Sequence, residues 1–200
     1  CRRNDCGDCK KVPFKNKSYD ITEKLKELLE LKGKNYNKKL QEICSLKMFK
    51  PIPGMKGVYW TGNEGDNDMD RLKLAAQKAV LFGNKVYIMP NPNKTPTLDF
   101  IFVRKGIYKG YDLKSVDGKN SVGDRLTESV RQTHRVLLNM CVDYDTRSLA
   151  KEIKKHFNNN KDVIEVLIYK GRTSTSVDRY KAESKKFIDS FVTEYKSQKR

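Results

Sequence analysis

Long apolar runs are missing from this chain, and no segment has enough consecutive hydrophobic residues to span a bilayer. No secretory leader is recognisable; a start at Cys1 suggests an excised fragment, from which such a leader could have been removed. Histidine is scarce: only His134 and His156 are present, and neither stands in a recognisable catalytic context. That weighs against a general base of the imidazole type. Five cysteines do not make a disulfide framework. Cys44 and Cys141 fall in apolar-periodic segments and read as core thiols. Cys1, Cys6 and Cys9 crowd into CRRNDCGDC, where the C-x-x-C pair could grip zinc, although a closed site needs four ligands. The plainer reading is the tail of a preceding module. No internal repeat is visible.

What is abundant is positive charge. Lysine and arginine number 42 against 25 acids in 200 residues, a net charge of +17. Such an excess favours a polyanionic partner, most simply nucleic acid; the competing reading is a lysine-rich surface and nothing more. Hydrophobic residues make up 37% but are clustered, so the chain can bury a core rather than remain disordered.

The order of patterns divides the chain into a basic, cysteine-containing tail (1–17), a helical hairpin appendage (18–56) and a main domain (57–200). In the hairpin, Ile21, Leu25, Leu28 and Leu29 share one helical face, and Leu40 and Ile43 repeat the pattern. KPIPGMKG then breaks the chain with prolines and glycines. Beyond it, GVYW and KVYIMP read as strands around a helix over DNDMDRLKLAAQKAVLFG, and LDFIFVRKGIYKGYDLKSV as a hairpin. SVGDRLTESVRQTHR reads as a helix, VLLNMCV as a strand, DTRSLAKEIKKHF as a helix, DVIEVLIYKG as a strand and TSVDRYKAESKKFIDSFVTEYK as a final helix. Strands alternating with helices imply an α/β fold, a mixed sheet flanked by helices.

The hairpin DFIFVRKGIYKGYDLKS carries the chemistry. Side chains alternate along a strand, which places Asp112 and Lys114 on one face, Asp99 with Ile101 and Val103 on one face, and Leu98, Phe100 and Phe102 on the other. An acid inside an apolar strand costs free energy unless it is paired or metal-bound. Two carboxylates brought together across the hairpin could hold a hard divalent cation such as Mg2+. The cation would stand between the acids and a phosphodiester, with the lysine offsetting developing charge. An Asp–Lys ion pair on a solvated hairpin is the structural alternative.

These residues resemble the D-x(n)-(D/E)-x-K signature of the PD-(D/E)xK nuclease superfamily. The ordered context, from AAQKAVLFGNKVYIMP through NSVGDRLTESVRQTHRVLLNM, is similar to the C-terminal tRNase domains of contact-dependent growth inhibition (CdiA-type) and other polymorphic toxins. The likeness covers roughly residues 68–142. It implies a nuclease core and metal-dependent cleavage of RNA, with tRNA favoured over DNA. It assigns Asp99 and Asp112 to the metal, makes Lys114 and Gln132 catalytic, and has Ser121 and Arg125 contact substrate. It also implies a delivered effector that acts in the cytoplasm of a target cell and an acidic immunity protein that protects the producer. The family's proline is not adjacent to Asp99, Pro96 standing three residues before it. For the upstream acid, Glu64, Asp66, Asp68 and Asp70 are all candidates.

The helix expected after the hairpin suits the same site. Leu126, Val130, Thr133 and Leu137 would form its apolar stripe, and Arg125, Ser129 and Gln132 a polar ridge beside it. Two other functions stay open on residue types alone. One is a metal-independent ribonuclease toxin of the barnase, EndoU or RelE kind, using His134 as general base. The other is a non-catalytic basic nucleic-acid-binding module of a phage or mobile element, with Tyr59, Trp60, Tyr108 and Tyr111 as stacking candidates.

Overall fold

Among the described residues, eight strands lie across one mixed sheet in the order in which the chain makes them. The structure, a computed structural model, describes residues 21–62, 68–91, 95–118 and 122–198. The elements run α1 (Thr22–Glu27), α2 (Gly33–Cys44), β1 (Lys50–Pro51), β2 (Val58–Trp60), α3 (Met69–Leu81), β3 (Lys85–Ile88), β4 (Phe100–Arg104) and β5 (Ile107–Val116). They continue through α4 (Val122–Ser129), β6 (Arg135–Met140), α5 (Thr146–Asn159), β7 (Glu165–Lys170), β8 (Thr173–Asp178), α6 (Arg179–Glu183) and α7 (Phe187–Ser197). β2–β3, β5–β6 and β6–β7 are parallel pairs and the remaining pairs are antiparallel. The α/β class expected from the sequence is therefore present, with helices on both faces. No helix among the described residues is long and apolar enough to cross a membrane.

Alternation along the strands separates three cores. Val86, Phe100, Phe102, Tyr111, Leu113, Leu137 and Leu167 point to the face covered by α3, through Leu72, Ala75, Ala76 and Ala79. On the opposite face, Val136, Leu138, Val166 and Ile168 meet α4, α5 and α7 through Leu126, Leu149, Ile153, Phe187 and Phe191. Further along that same face, Tyr87, Met89, Leu98 and Ile101 meet α1 and α2 through Leu25, Leu28, Tyr36, Leu40 and Ile43. The helical hairpin is thus one of the layers that cover the sheet. KPIPG turns the chain from that layer into β1 and β2 without separating two cores.

Several element boundaries differ from the sequence reading. α4 stops at Ser129, and Val130–Gln132 form a turn, because Arg135–Met140 gains a full ladder between β5 and β7 by leaving the helix. Leu137 therefore lies on β6 and not on a helical stripe. TSTSVD is a strand, β8, rather than the start of the final helix: Gly171, at φ 55°, makes the tight turn after β7, and the alternating hydroxyl and β-branched residues pair back on it. The final helix is consequently two shorter ones, α6 and α7. Leu98 joins Ile101 under α1 and α2 rather than Phe100, since the chain bends at Asp99 before β4 begins.

Leu40 and Ile43 are fully buried, and each contributes about 1.5–3 kcal/mol of burial. A fragment beginning at Lys56 should accordingly fail to fold, exposing Tyr87, Met89, Leu98 and Ile101. Circular dichroism and gel filtration of that fragment check this; a soluble, cooperatively melting fragment would show α1 and α2 to be dispensable.

Candidate active site

β5 is the strand on which the predicted residues meet. It has ladder partners on both edges, β4 and β6, and both α2 and α4 pack against it. Asp99 sits at the bend before β4, where its backbone N–H donates to the Tyr111 carbonyl at 2.9 Å. Its Oδ2 accepts from the Leu113 N–H at 2.7 Å, so the side chain stands where a backbone carbonyl would continue the ladder. One step beyond the Phe100–Tyr111 pair, this lays the Asp99 carboxylate beside that of Asp112. Lys114, two residues on and on the same face, places Nζ 3.1 Å from Asp112 Oδ2. Asp99, Asp112 and Lys114 are therefore brought together as expected.

The electrostatics of Asp112 are unfavourable. It is 1% exposed, and Oδ2 has no hydrogen-bond donor: the Lys114 contact is an ion pair by distance, off the hydrogen-bonding direction. Burial first, and then the negative charge of Asp99, push its carboxyl well above the ordinary value, with Lys114 pulling the other way.

Glu165, equally buried on β7 but on the opposite face, makes the contrast. Burial pushes it up as well, yet its partners outweigh burial and hold its carboxyl below the ordinary value. Lys109 donates to it at 2.9 Å, Tyr111 at 3.1 Å and Ser176 at 2.7 Å, and Arg135 Nε lies 3.3 Å away. Glu165 is a satisfied structural carboxylate that ties β5, β6, β7 and β8 together. The sequence signal that singled out Asp112, an acid inside an apolar strand, is present in DVIEVLIYKG as well and could have found it.

The other expected site residues stand elsewhere. Arg125 pairs with Glu128 on its own helix at 3.1 Å. Gln132 lies in the turn after α4, donating to the Glu128 carbonyl at 3.3 Å. Ser129 is buried and donates to Leu126 O. The ridge of Arg125, Ser129 and Gln132 needs a helix through 132, and the helix ends before it. Ser121, Glu64, Asp66 and the cysteines at 1, 6 and 9 lie outside the described residues. Asp68 pairs with Arg71, and Asp70 is exposed on the first turn of α3; α3 packs on the face of the sheet opposite Asp112. Among the described residues, no group of three or more His, Cys, Asp or Glu side chains is placed to hold a metal. Any cation here would take Asp99 and Asp112 as its protein ligands and complete its shell with water or substrate.

Both histidines are buried. Burial lowers the pKa of His134, and neighbouring Arg135 and Lys32 add to this against Asp162. Burial and Arg179 bring His156 down to about 4. Two grooves, of about 540 Å³ along α6 and α7 and about 360 Å³ between α4 and α5, lie away from the acid pair, which occupies a recessed seam. No protein-family model matches the chain, and neither does any curated protein or solved structure.

Removing the Asp112 charge should stabilise the fold while leaving Asp99 to pair with Lys114. Below the ordinary carboxyl value near 3.8, Asp112 is protonated in both folded and unfolded chains and makes no difference. As pH rises the unfolded chain ionises first, so stability is lost progressively until the raised folded value is passed. Asp112→Asn should therefore melt several degrees above the unsubstituted protein at pH 8 without divalent cations, and level with it near pH 4. Thermal melting at both pH values checks this.

Proposed function

We propose that this chain is a metal-dependent nuclease that cleaves phosphodiester bonds in RNA, with tRNA the preferred substrate, and that it serves as a toxin domain. The observation that carries the reading is the state of Asp112: a buried carboxylate on a strand against which two helices pack, opposed by a second carboxylate and left with an oxygen no donor satisfies. An ordinary structural acid is satisfied, as Glu165 is; perturbed and under-satisfied acids gather where chemistry is done.

The residues present fit a divalent cation. Two carboxylates side by side supply hard oxygen ligands, and a positive charge between them would relieve both the repulsion and the orphaned oxygen. When bound, such a cation polarises a phosphoryl oxygen and lowers the pKa of a coordinated water. Asp99 is oriented for the task by the Leu113 N–H. Lys114, only partly exposed, offers a fixed positive charge beside the acids to offset charge growing on the scissile phosphate. A net charge of +17 brings the polyanion to an otherwise acidic site. A helix and a strand, α3 and β3, precede Asp99 and a helix bearing Arg125, α4, follows Lys114, the order that the resembled toxin nuclease domains imply. Burial of both histidines leaves an imidazole mechanism without an accessible base. A simple binding module would have no use for an acid pair that destabilises it. A toxin nuclease also requires an inhibitor in its producer, and a chain this basic suits an acidic one.

Total RNA and plasmid DNA, incubated with the protein in Mg2+ or in chelator, test the reading. RNA should be cleaved only with the cation, and Asp99→Asn, Asp112→Asn and Lys114→Met should each lower the rate by at least about 100-fold, as loss of a transition-state contact does. Mg2+ should also raise the melting temperature of the unsubstituted protein but not of Asp112→Asn. Full activity in all three folded variants would sink the proposal.

A further inference from the structure

Five buried side-chain atoms among the described residues have no hydrogen-bond partner. One is the Asp112 oxygen; the other four are Tyr36 Oη, His134 Nε2, and Nε and Nη1 of Arg135. They are not scattered. Tyr36 is on α2, and its hydroxyl lies beside Thr133 and Arg135. The Tyr36 and His134 rings pack with centroids 5.9 Å apart. A Cβ at position 110 would lie 2.6 Å from the Tyr36 oxygen, so only glycine lets the hydroxyl come this close to β5. Gly110 is two residues before Asp112 on the same face, which sets the hydroxyl about 7 Å along the strand from the acid.

Donors predominate in the cluster. Arginine has donors only, a tyrosine hydroxyl both donates and accepts, and His134 Nε2 takes either role with its tautomer. Arg135 faces Glu165 at 3.3 Å without hydrogen-bond geometry, and the Glu165 carboxylate already accepts from Lys109, Tyr111 and Ser176. With Lys109 and Arg135 against Glu165, one positive charge is left over. Donors, surplus positive charge and buried surroundings together call for an anion with several acceptor oxygens.

We propose that Tyr36 and Arg135 form a phosphate-binding subsite beside the acid pair. Resting on the nuclease reading, the subsite takes a phosphate of the bound strand next to the one being cleaved. Tyr36 Oη and Arg135 Nη1 donate to its non-bridging oxygens, and His134 supports the Tyr36 ring. Gly110 and Asp112 stand on the same face of β5, the strand against which α2 packs, so the subsite and the acids share one strand.

Binding is measured by calorimetry in chelator, without cleavage, using inorganic phosphate and dimethyl phosphate as separate probes. A strand phosphate predicts binding of the diester; free phosphate as the natural ligand predicts binding of the inorganic ion alone. In either case Tyr36→Phe should weaken binding roughly five-fold, the worth of one hydrogen bond, and Arg135→Gln roughly thirty-fold, the worth of a charged one. In cleavage assays Tyr36→Phe should raise KM more than it lowers kcat. Arg135→Gln also loses its Glu165 contact, so if it fails to fold, Tyr36→Phe alone decides. Equal binding by Tyr36→Phe and the unsubstituted protein, or binding of neither probe, overturns the subsite even if RNA cleavage is intact. Loss of the nuclease reading would show instead as activity that survives the Asp112 substitution.

Discussion

The strand β5 has to satisfy more demands than any other element. Its backbone is paired on both edges and its faces are covered by α2 and α4 on one side and α3 on the other. Its side chains reach all three cores, Tyr111 and Leu113 in one, Val116 in another and Tyr108 against the third, while Gly110 gives up a side chain so that Tyr36 can lie against it. A strand in that position is ordinarily apolar throughout. This one carries Asp112 and Lys114, and the surrounding fold holds two charges where hydrophobic residues would be more stable.

That arrangement is sustained by what flanks it. Glu165, with its ring of donors, ties β5 to β6, β7 and β8 just beneath the acid pair on the opposite face. Arg179 anchors the turn between α5 and β7, donating to the carbonyls of Phe157, Asn160, Lys161 and Val163 and packing its guanidinium over the Phe157 ring. These networks rigidify the sheet. Stability is concentrated where polar groups have partners, and the deficit is concentrated at the α2–β5–β6 seam. Uneven satisfaction of this kind separates scaffold from site: burial pushes both carboxyls up, and only Glu165 has the partners that bring it back below the ordinary value.

The charge of the chain fits the same division. A buried acid pair repels a nucleic acid at close range, while the lysine-rich exterior attracts it from a distance. On the proposed nuclease reading the two do not conflict if a cation mediates between them, with Lys114 Nζ standing 3.1 Å from Asp112. The helical hairpin α1–α2, which the proline- and glycine-rich break set apart from the main domain, covers the sheet and brings Tyr36 to the strand that carries the acids.

Local pattern by itself determined a good deal here. The period of two in LDFIFVRKGIYKGYDLKSV fixed the hairpin and the shared face of Asp112 and Lys114, since alternation along a strand is a property of the backbone. The acids and glycines bounding α3 likewise marked a helix without outside help. The length of α4, the strand β8 and the place of α1–α2 were decided only in the tertiary structure. In each case the energy lies in partners distant along the chain: the β6 ladder took Arg135–Met140 away from a helical stripe, β7 gave TSTSVD a strand to pair with, and the open face of β3 and β4 gave α2 a surface to cover. Whether a buried acid is satisfied, as Glu165 is, or left wanting, as Asp112 is, depends on donors from other strands. No reading of residues along the chain can supply them, because the hydrogen bonds that decide the matter span up to 56 positions.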